Sequence, residues 1–423
     1  MSNMLNRKKI ADGVYFSYIN DKRFKMNRID VVFVDTLSKK RVSMNALIPS
    51  ILSTSNSNYP TMFEFNRKLM GNYSSCISDY ARKIGDNEYF GLYATVLDNA
   101  YALDGEDILA ETVTLLRDCI FSPYLENGVF PEKTVDIQKK NLIDYNDNEI
   151  INKSLYTLRK GLKVALKGEP AAESVYGENE DIAEITPEAA YNSYKEILRT
   201  KNVEIMCVGP GNFAVVEQII GDAFRAIERK VDNFNRSLPS VIKSETAVES
   251  EFMSVSQSKL LMVFKTELTE HSPFVMMSDL FGGDVFSKLF SVVREKLSLC
   301  YYCHSRFVTS KKIITVECGV EKENIEKAKK AILEQLEEIK KGNFTDEDMD
   351  KARLSMRNSM NAIGDRVSST SSWYLTNLLI NENNTPEQEA DAYDAVTRED
   401  VVKAANSLVL DTVFVLTSDE EDV

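Results

Sequence analysis

An α+β fold of two tandem homologous domains, each a mainly antiparallel sheet with helices packed on it, is what this sequence predicts from three observations. The first is an internal repeat. Gly128-Val129-Phe130-Pro131-Glu132 opens a helix after a helix and a strand, and Gly342-Asn343-Phe344-Thr345-Asp346-Glu347 does the same 214 positions later. Ile185-Thr186-Pro187-Glu188 is answered by Val396-Thr397-Arg398-Glu399 at an offset of 211. Each pair alone is a common helix start, but two similar offsets kept in order mark a duplicated unit. The second is length. The chain has 423 residues, beyond the roughly 250–300 at which a single core stops growing. The third is the meandering order of helices and strands, which do not strictly alternate as a parallel α/β sheet requires.

In the first domain, 29–35 is a β-branched, aromatic-rich run that reads as a strand. Residues 41–52 are apolar at mixed helical spacing, and 61–70 form a second short helix. Residues 89–97 alternate as a strand. Apolar residues recur at helical spacing over 108–121, and 131–148 is a mostly polar helix. A further helix spans 187–198, with Thr186 as N-cap and Pro187 at its first position. Residues 203–208 close the domain as a strand. The polar stretch 228–251, rich in Lys, Asp, Asn, Ser and Glu around Pro239, reads as a linker. The domains are therefore expected over 1–227 and 252–423.

The second domain repeats the grammar. A strand is expected at 260–265, a helix at 273–281 stopped by Gly282-Gly283, and another at 285–296. Residues 298–307 and 313–320 read as adjacent strands, and 325–341 as a long amphipathic helix. Thr345 then caps a helix, with Asp348 completing the capping box.

Composition narrows the function classes. The formal charge of −14 and pI near 4.9 argue against nucleic acid or an anionic membrane as partner, because a phosphate polymer is repelled by the overall field. Ile10-Ala11-Asp12-Gly13 stands where a signal peptide would carry its apolar core, and no later apolar run approaches membrane-spanning length. The expectation is a cytoplasmic protein with no membrane insertion. Cysteines at 76, 119, 207, 300, 303 and 318, mostly in apolar runs such as Ile205-Met206-Cys207-Val208, read as reduced core thiols.

The segment from Ala46 through Leu47, Ile48, Pro49 and Ser50 to Tyr59-Pro60, followed by a helix ending Leu69-Met70-Gly71-Asn72, resembles the first-helix region of the insulinase/pitrilysin-like zinc metallopeptidases, whose inverted HxxEH motif binds the metal. The resemblance runs over essentially the whole chain and implies the fold of that family, the mitochondrial-processing-peptidase-like metallohydrolase fold. Aligned on Tyr59-Pro60, the two zinc histidines fall on Ala46 and Ser50 and the general-base glutamate on Pro49. A catalytic zinc needs about three protein ligands and an open water position, and the motif needs a carboxylate to take the water's proton. Alanine, proline and serine supply none of these. His271 and His304 are the only histidines, 33 residues apart, so the motif does not lie elsewhere. The family's third ligand falls on the helix after Phe130-Pro131, where Gln138 and Asp144 are the nearest candidates. No metal is expected on this chain.

Val292-Val293-Arg294 through Leu299-Cys300-Tyr301-Tyr302 resembles the family's C-terminal segment, in which an arginine and a tyrosine seven residues apart line the chamber opposite the zinc. By that resemblance Arg294 and Tyr301 hold substrate and stabilise the tetrahedral intermediate. Guanidinium and phenol are both donors that can face an oxygen gaining negative charge. In two-subunit members one subunit carries the zinc motif and the other the Arg and Tyr, and this chain resembles the second kind, as in bacterial proteins encoded beside an active paralogue.

Other signals have plainer readings. Cys300-Tyr-Tyr-Cys303-His304 matches the CxxCH pattern of haem attachment, but strand alternation would put Cys300 and His304 on one face and Cys303 on the other. His271 is expected at an exposed helix start. Trp373, the sole tryptophan, sits among Tyr374, Leu375, Leu378 and Leu379 as a core anchor, and the acidic tail 418–423 reads as a frayed terminus. Peptidases of this family add extended substrate to a sheet edge. The favoured function is thus a non-catalytic, peptide-binding subunit that completes the chamber of an HxxEH-bearing paralogue as a heterodimer, with the zinc on that partner. The alternative is a homodimeric interaction or scaffold protein outside proteolysis, and the third is a metalloendopeptidase active alone.

Overall fold

The computed structural model describes residues 5–380 and 384–418; most of the acidic tail lies outside the described residues. Six strands, β1 (Asn6–Ala11), β2 (Val14–Asn20), β3 (Met26–Thr36), β4 (Cys76–Ile84), β5 (Asn87–Leu97) and β6 (Asn202–Gly209), form one sheet in the order β1-β2-β6-β3-β5-β4. Five more, β7 (Ala247–Phe252), β8 (Ser258–Lys265), β9 (Cys300–Val308), β10 (Ile313–Val320) and β11 (Val409–Thr417), form a second in the order β7-β11-β8-β10-β9. Without β1 the two sheets share one scheme. A parallel pair (β2 with β6, β7 with β11) leads each sheet, and the other neighbours are antiparallel. The duplication read from the sequence is therefore a duplication of topology. Gly128 and Gly342 turn the chain at the same point of each copy, with φ of +82° and +77°, a conformation that favours glycine.

The inner strands of each sheet are buried on both faces, which is why they read as near-continuous apolar runs. Alternate residues of β3 divide between two clusters, Ile29, Val31 and Phe33 in the main core and Val32 and Val34 on the opposite face. In the second sheet Leu260, Met262 and Phe264 of β8 face the main core, and Leu261 and Val263 face away from it.

The helix on each far face comes from the other half of the sequence. The compact units are 1–147 with 173–236 and 363–383, and 148–172 with 237–362 and 384–423. In the first unit, helix Val367–Ile380 lays Tyr374, Leu375 and Leu379 against Val32, Val34 and Met206. In the second, helix Lys153–Ala165 lays Tyr156 and Ala165 against Leu261, Val263 and Phe414. That helix approaches closely at Gly161, where a Cβ would lie 2.3 Å from Leu261 Cδ2. The division expected at 1–227 and 252–423 follows the sequence and does not include these two exchanged segments. Of the expected linker, 247–251 belong to β7.

Each exchanged helix meets a buried polar anchor. In the first unit Asp30 accepts hydrogen bonds from Arg28 (2.7 Å), Tyr80 (2.8 Å) and Ser371 of the exchanged helix (2.5 Å). In the second, Lys265 Nζ donates to the carbonyl of Ala165, at the end of the exchanged helix, at 2.8 Å and to Val241 O at 2.6 Å. It also pairs with Asp411 at 3.2 Å. A cation at a helix C-terminus meets the negative end of the helix dipole.

Trp373 packs partly buried against the far-face cluster of the first unit. His271, expected exposed, is half-buried. Glu389, from a helix much later in the sequence, pairs with it at 3.0 Å, and Tyr393 and Thr309 lie within 3.3 Å. The helix expected over 285–296 begins regular turns only at Leu289 and is π-helical through Lys296.

Candidate functional site

The helix Val42–Leu52 follows β3 and is buried on nearly every side. Ala46 is 4% exposed, Pro49 lies inside the helix, and Ser50 donates its hydroxyl to the carbonyl of Leu47 at 2.9 Å. Serine bonding back to its own helix is a common way to satisfy a buried hydroxyl, and a neutral hydroxyl is not among the thiolate, imidazole and carboxylate ligands that hold zinc. No imidazole or carboxylate stands at any of the three motif positions. On the next candidate helix, Glu132–Asn148, Gln138 is buried and accepts from Asn141 at 3.1 Å, whereas Asp144 is exposed. A neutral amide and a solvated carboxylate do not make a zinc site. The residues present do not fit the metal that the fold family implies.

The helix is held from beneath by polar groups. Asn45 donates to Glu88 at 2.8 Å, and Arg41 pairs with Asp35 at 2.7 Å. Asp35 and Glu88 stand directly opposite each other on β3 and β5. Glu88 is fully buried, and burial, helped by the Asp35 charge, pushes its carboxyl up to about 8, although the Asn45 hydrogen bond opposes this.

In the second unit, Arg294 and Tyr301 line the same cavity. Arg294 sits on the π-helical turn Leu289–Lys296, which ends with Leu297 N–H bonded to the carbonyl of Val292 five residues back. Such turns recur at functional sites. Ser298, at φ +51°, then reverses the chain in a conformation rare for non-glycine residues. These two features bring both side chains onto one open cavity of about 410 Å³, shared with Ser298, Cys300, Glu321 and Asn324. The Arg294 guanidinium lies 4.5 Å over the Phe290 ring and 3.6 Å from Glu295, and its side chain is 40% exposed. Tyr301 is exposed and donates to Glu321 at 2.7 Å. That hydrogen bond and the Glu321 charge raise the phenol's pKa, so the hydroxyl stays protonated and directed.

Tyr301 stands out from β9 because of a β-bulge. Gly319 of β10 pairs with Tyr302 and Val320 with Cys300, leaving Tyr301 as the extra residue. The bulge also overturns the strand alternation expected for the CxxCH stretch. One extra residue puts Cys300 on the same side as Cys303, and His304 is left on the exposed face near Glu317. Sequence reasoning missed this grouping, because period-two alternation holds only for an unbroken ladder. The Cys300 thiol is held well below the ordinary range, first by hydrogen bonding with Cys303 and Cys318 and then by the Arg294 charge.

Residues 184–356 match the family model described as Peptidase M16 inactive domain. The probable inactive metalloprotease YmfF of Bacillus subtilis (strain 168) is 26% identical over 425 residues, covering 99% of each chain. A crystal structure of a conserved protein from Enterococcus faecalis V583 superposes with a TM-score of 0.89 at 24% identity, over 99% of each chain. A protease from Helicobacter pylori superposes at 0.79 and 15% identity, over 98% of this chain and 99% of that one. Among the described residues no helix is long and apolar enough to cross a membrane. With the duplicated topology and the vacated motif at Ala46, Pro49 and Ser50, these matches make the chain similar to the insulinase/pitrilysin-like (M16) peptidases, over residues 184–356 to their inactive domain and over nearly its whole length to a relative named as probably inactive.

Proposed function

We propose that this chain is the non-catalytic subunit of a two-subunit insulinase-like peptidase of the cytoplasm, binding peptide and completing the chamber of an HxxEH-bearing partner that carries the zinc. The observation that supports this best is the asymmetry between the two copies. The first has no ligand at 46, 49 or 50, while the second keeps Arg294 and Tyr301 on one solvent-open cavity. Both line that cavity and can donate hydrogen bonds, Arg294 directly and Tyr301 once its hydroxyl turns from Glu321, which is the chemistry needed to meet a carbonyl oxygen as it gains charge. β4 and β9 are edge strands, each paired on one side within its sheet, and an edge can accept an extended peptide by main-chain hydrogen bonds. Phe63 and Met70, one face of helix Met62–Gly71, are 74% and 71% exposed and suit burial against another chain. A second copy of this chain would again bring Ala, Pro and Ser at the zinc-motif positions, which favours an unlike partner.

In an equimolar mixture with an HxxEH paralogue from the same genome, Arg294→Ala and Tyr301→Phe are each expected to lower kcat/KM for peptide cleavage by about 10²-fold, the usual effect of losing one donor to a developing oxyanion. Binding of the two subunits should be unchanged. Wild-type rates from both variants would refute the assignment of these residues.

A further inference from the structure

Cys300, Cys303 and Cys318 form a group whose sulfur atoms all lie within 4.8 Å of one another. Two structural causes assemble it. Cys303 and Cys318 are directly opposed partners on β9 and β10, and the bulge at Tyr301 turns Cys300 to their side of the sheet. Cys303 and Cys318 are buried in the core of the second unit, whereas Cys300 is half-buried and lines the open cavity.

We infer that these three cysteines bind one Zn²⁺ as thiolates, with the fourth coordination position open to the cavity beside Arg294. Zinc–sulfur bonds of about 2.3 Å at tetrahedral angles set sulfurs about 3.8 Å apart, so the thiols stand within about 1 Å of the spacing required. Three sulfurs in a partly apolar setting select a soft or borderline d¹⁰ ion over magnesium or calcium. Charge favours the divalent ion. Three thiolates and Zn²⁺ leave one net negative charge, and two cations act on the group, Arg294 through Cys300 and Lys259 through Cys318. A monovalent ion would leave two negative charges in a site half enclosed by core. The solvent-open cavity gives the metal a way in and leaves room for a water or a peptide donor as fourth ligand. Binding releases the thiol protons, so affinity should fall as pH drops. This site is distinct from the vacated motif at Ala46, Pro49 and Ser50 and does not depend on a partner subunit.

The test uses the full-length chain, reduced, stripped with chelator and titrated with zinc sulfate. One Zn²⁺ per chain is expected, with X-ray absorption showing three sulfur neighbours at about 2.3 Å and Co²⁺ substitution giving a thiolate-to-metal charge-transfer band. Cys300→Ala removes the ligand at the cavity wall and leaves the two core thiols in place. It should weaken zinc binding at least about 100-fold, as losing a ligand must exceed the 10–100-fold effect of losing an outer-shell partner. Cys76→Ala, an exposed thiol on β4, should bind like the wild type. No zinc uptake by the reduced wild type, equal uptake by Cys300→Ala, or a nitrogen and oxygen shell by X-ray absorption would each overturn the inference. So would a Cys303–Cys318 disulfide whose reduction restores no binding.

Discussion

Asp30→Ala is expected to destabilise the first unit by about 3–5 kcal/mol, the cost of removing one partner from a buried ion pair. Asp30 is fully buried on β3, and the Arg28 side chain is only 11% exposed. Without the carboxylate, Arg28 retains a charge with little access to water, and the hydroxyls of Tyr80 and Ser371 lose their acceptor. The loss should fall first on the docking of helix Val367–Ile380, because Ser371 is tied to β3 through Asp30. Trp373, two residues on, is the only tryptophan in the chain, so its fluorescence in guanidinium reports this unit. The midpoint should shift strongly for Asp30→Ala and much less for Arg28→Met combined with Asp30→Leu, which removes both charges. Equal losses in the two variants would show that the pair does not govern the docking.

Glu88→Gln is expected to stabilise the first unit above neutral pH and to change little near pH 4. The carboxyl stands at about 8 in the fold against an ordinary 4.5, raised mainly by burial. A folded-state pKa above the unfolded one means that the folded protein holds the proton longer. Its contribution is therefore complete below about pH 4.5 and is lost as pH rises toward 8, at up to about 1.4 kcal/mol per pH unit. Glutamine keeps the shape and the acceptor for Asn45 and carries no titration. By pH 8 the variant should exceed the wild type by roughly 4 kcal/mol, read from denaturation midpoints at pH 5 and pH 8.5. A difference that does not grow with pH would mean that Glu88 is ionised in the fold, neutralised by Arg41 and Lys201.

The duplication was legible because it rests on local signals. Thr186 and Thr397 cap their helices through Ala189 and Asp400 backbone N–H groups, and the buried strands β3, β5, β6, β8 and β10 carry apolar runs that need no tertiary information. β1, with three charged residues in six, and the β4 edge give no such run. β11 does, and projecting β6 forward by the repeat offset would have found it. The exchange of helices was not legible. An apolar face on 153–165 or 367–380 says that a helix is covered but not by which sheet, and only long-range pairs such as Ser371 with Asp30 decide. For the site, the loss at 46, 49 and 50 and the Arg294–Tyr301 spacing were visible in the residues. Their shared cavity depends on a π-helical turn, a left-handed Ser298 and a bulge, three departures from regular geometry that periodicity cannot report.

The central claim is that this chain lacks a complete active site and contributes part of one to an unlike partner. The most direct test is hydrolysis of an unstructured peptide by the purified chain, by an HxxEH paralogue from the same genome, and by their equimolar mixture. Cleavage should be absent with the chain alone and rise at least tenfold in the mixture over the paralogue alone. A mixture no faster than the paralogue, or cleavage by this chain alone, would contradict the claim.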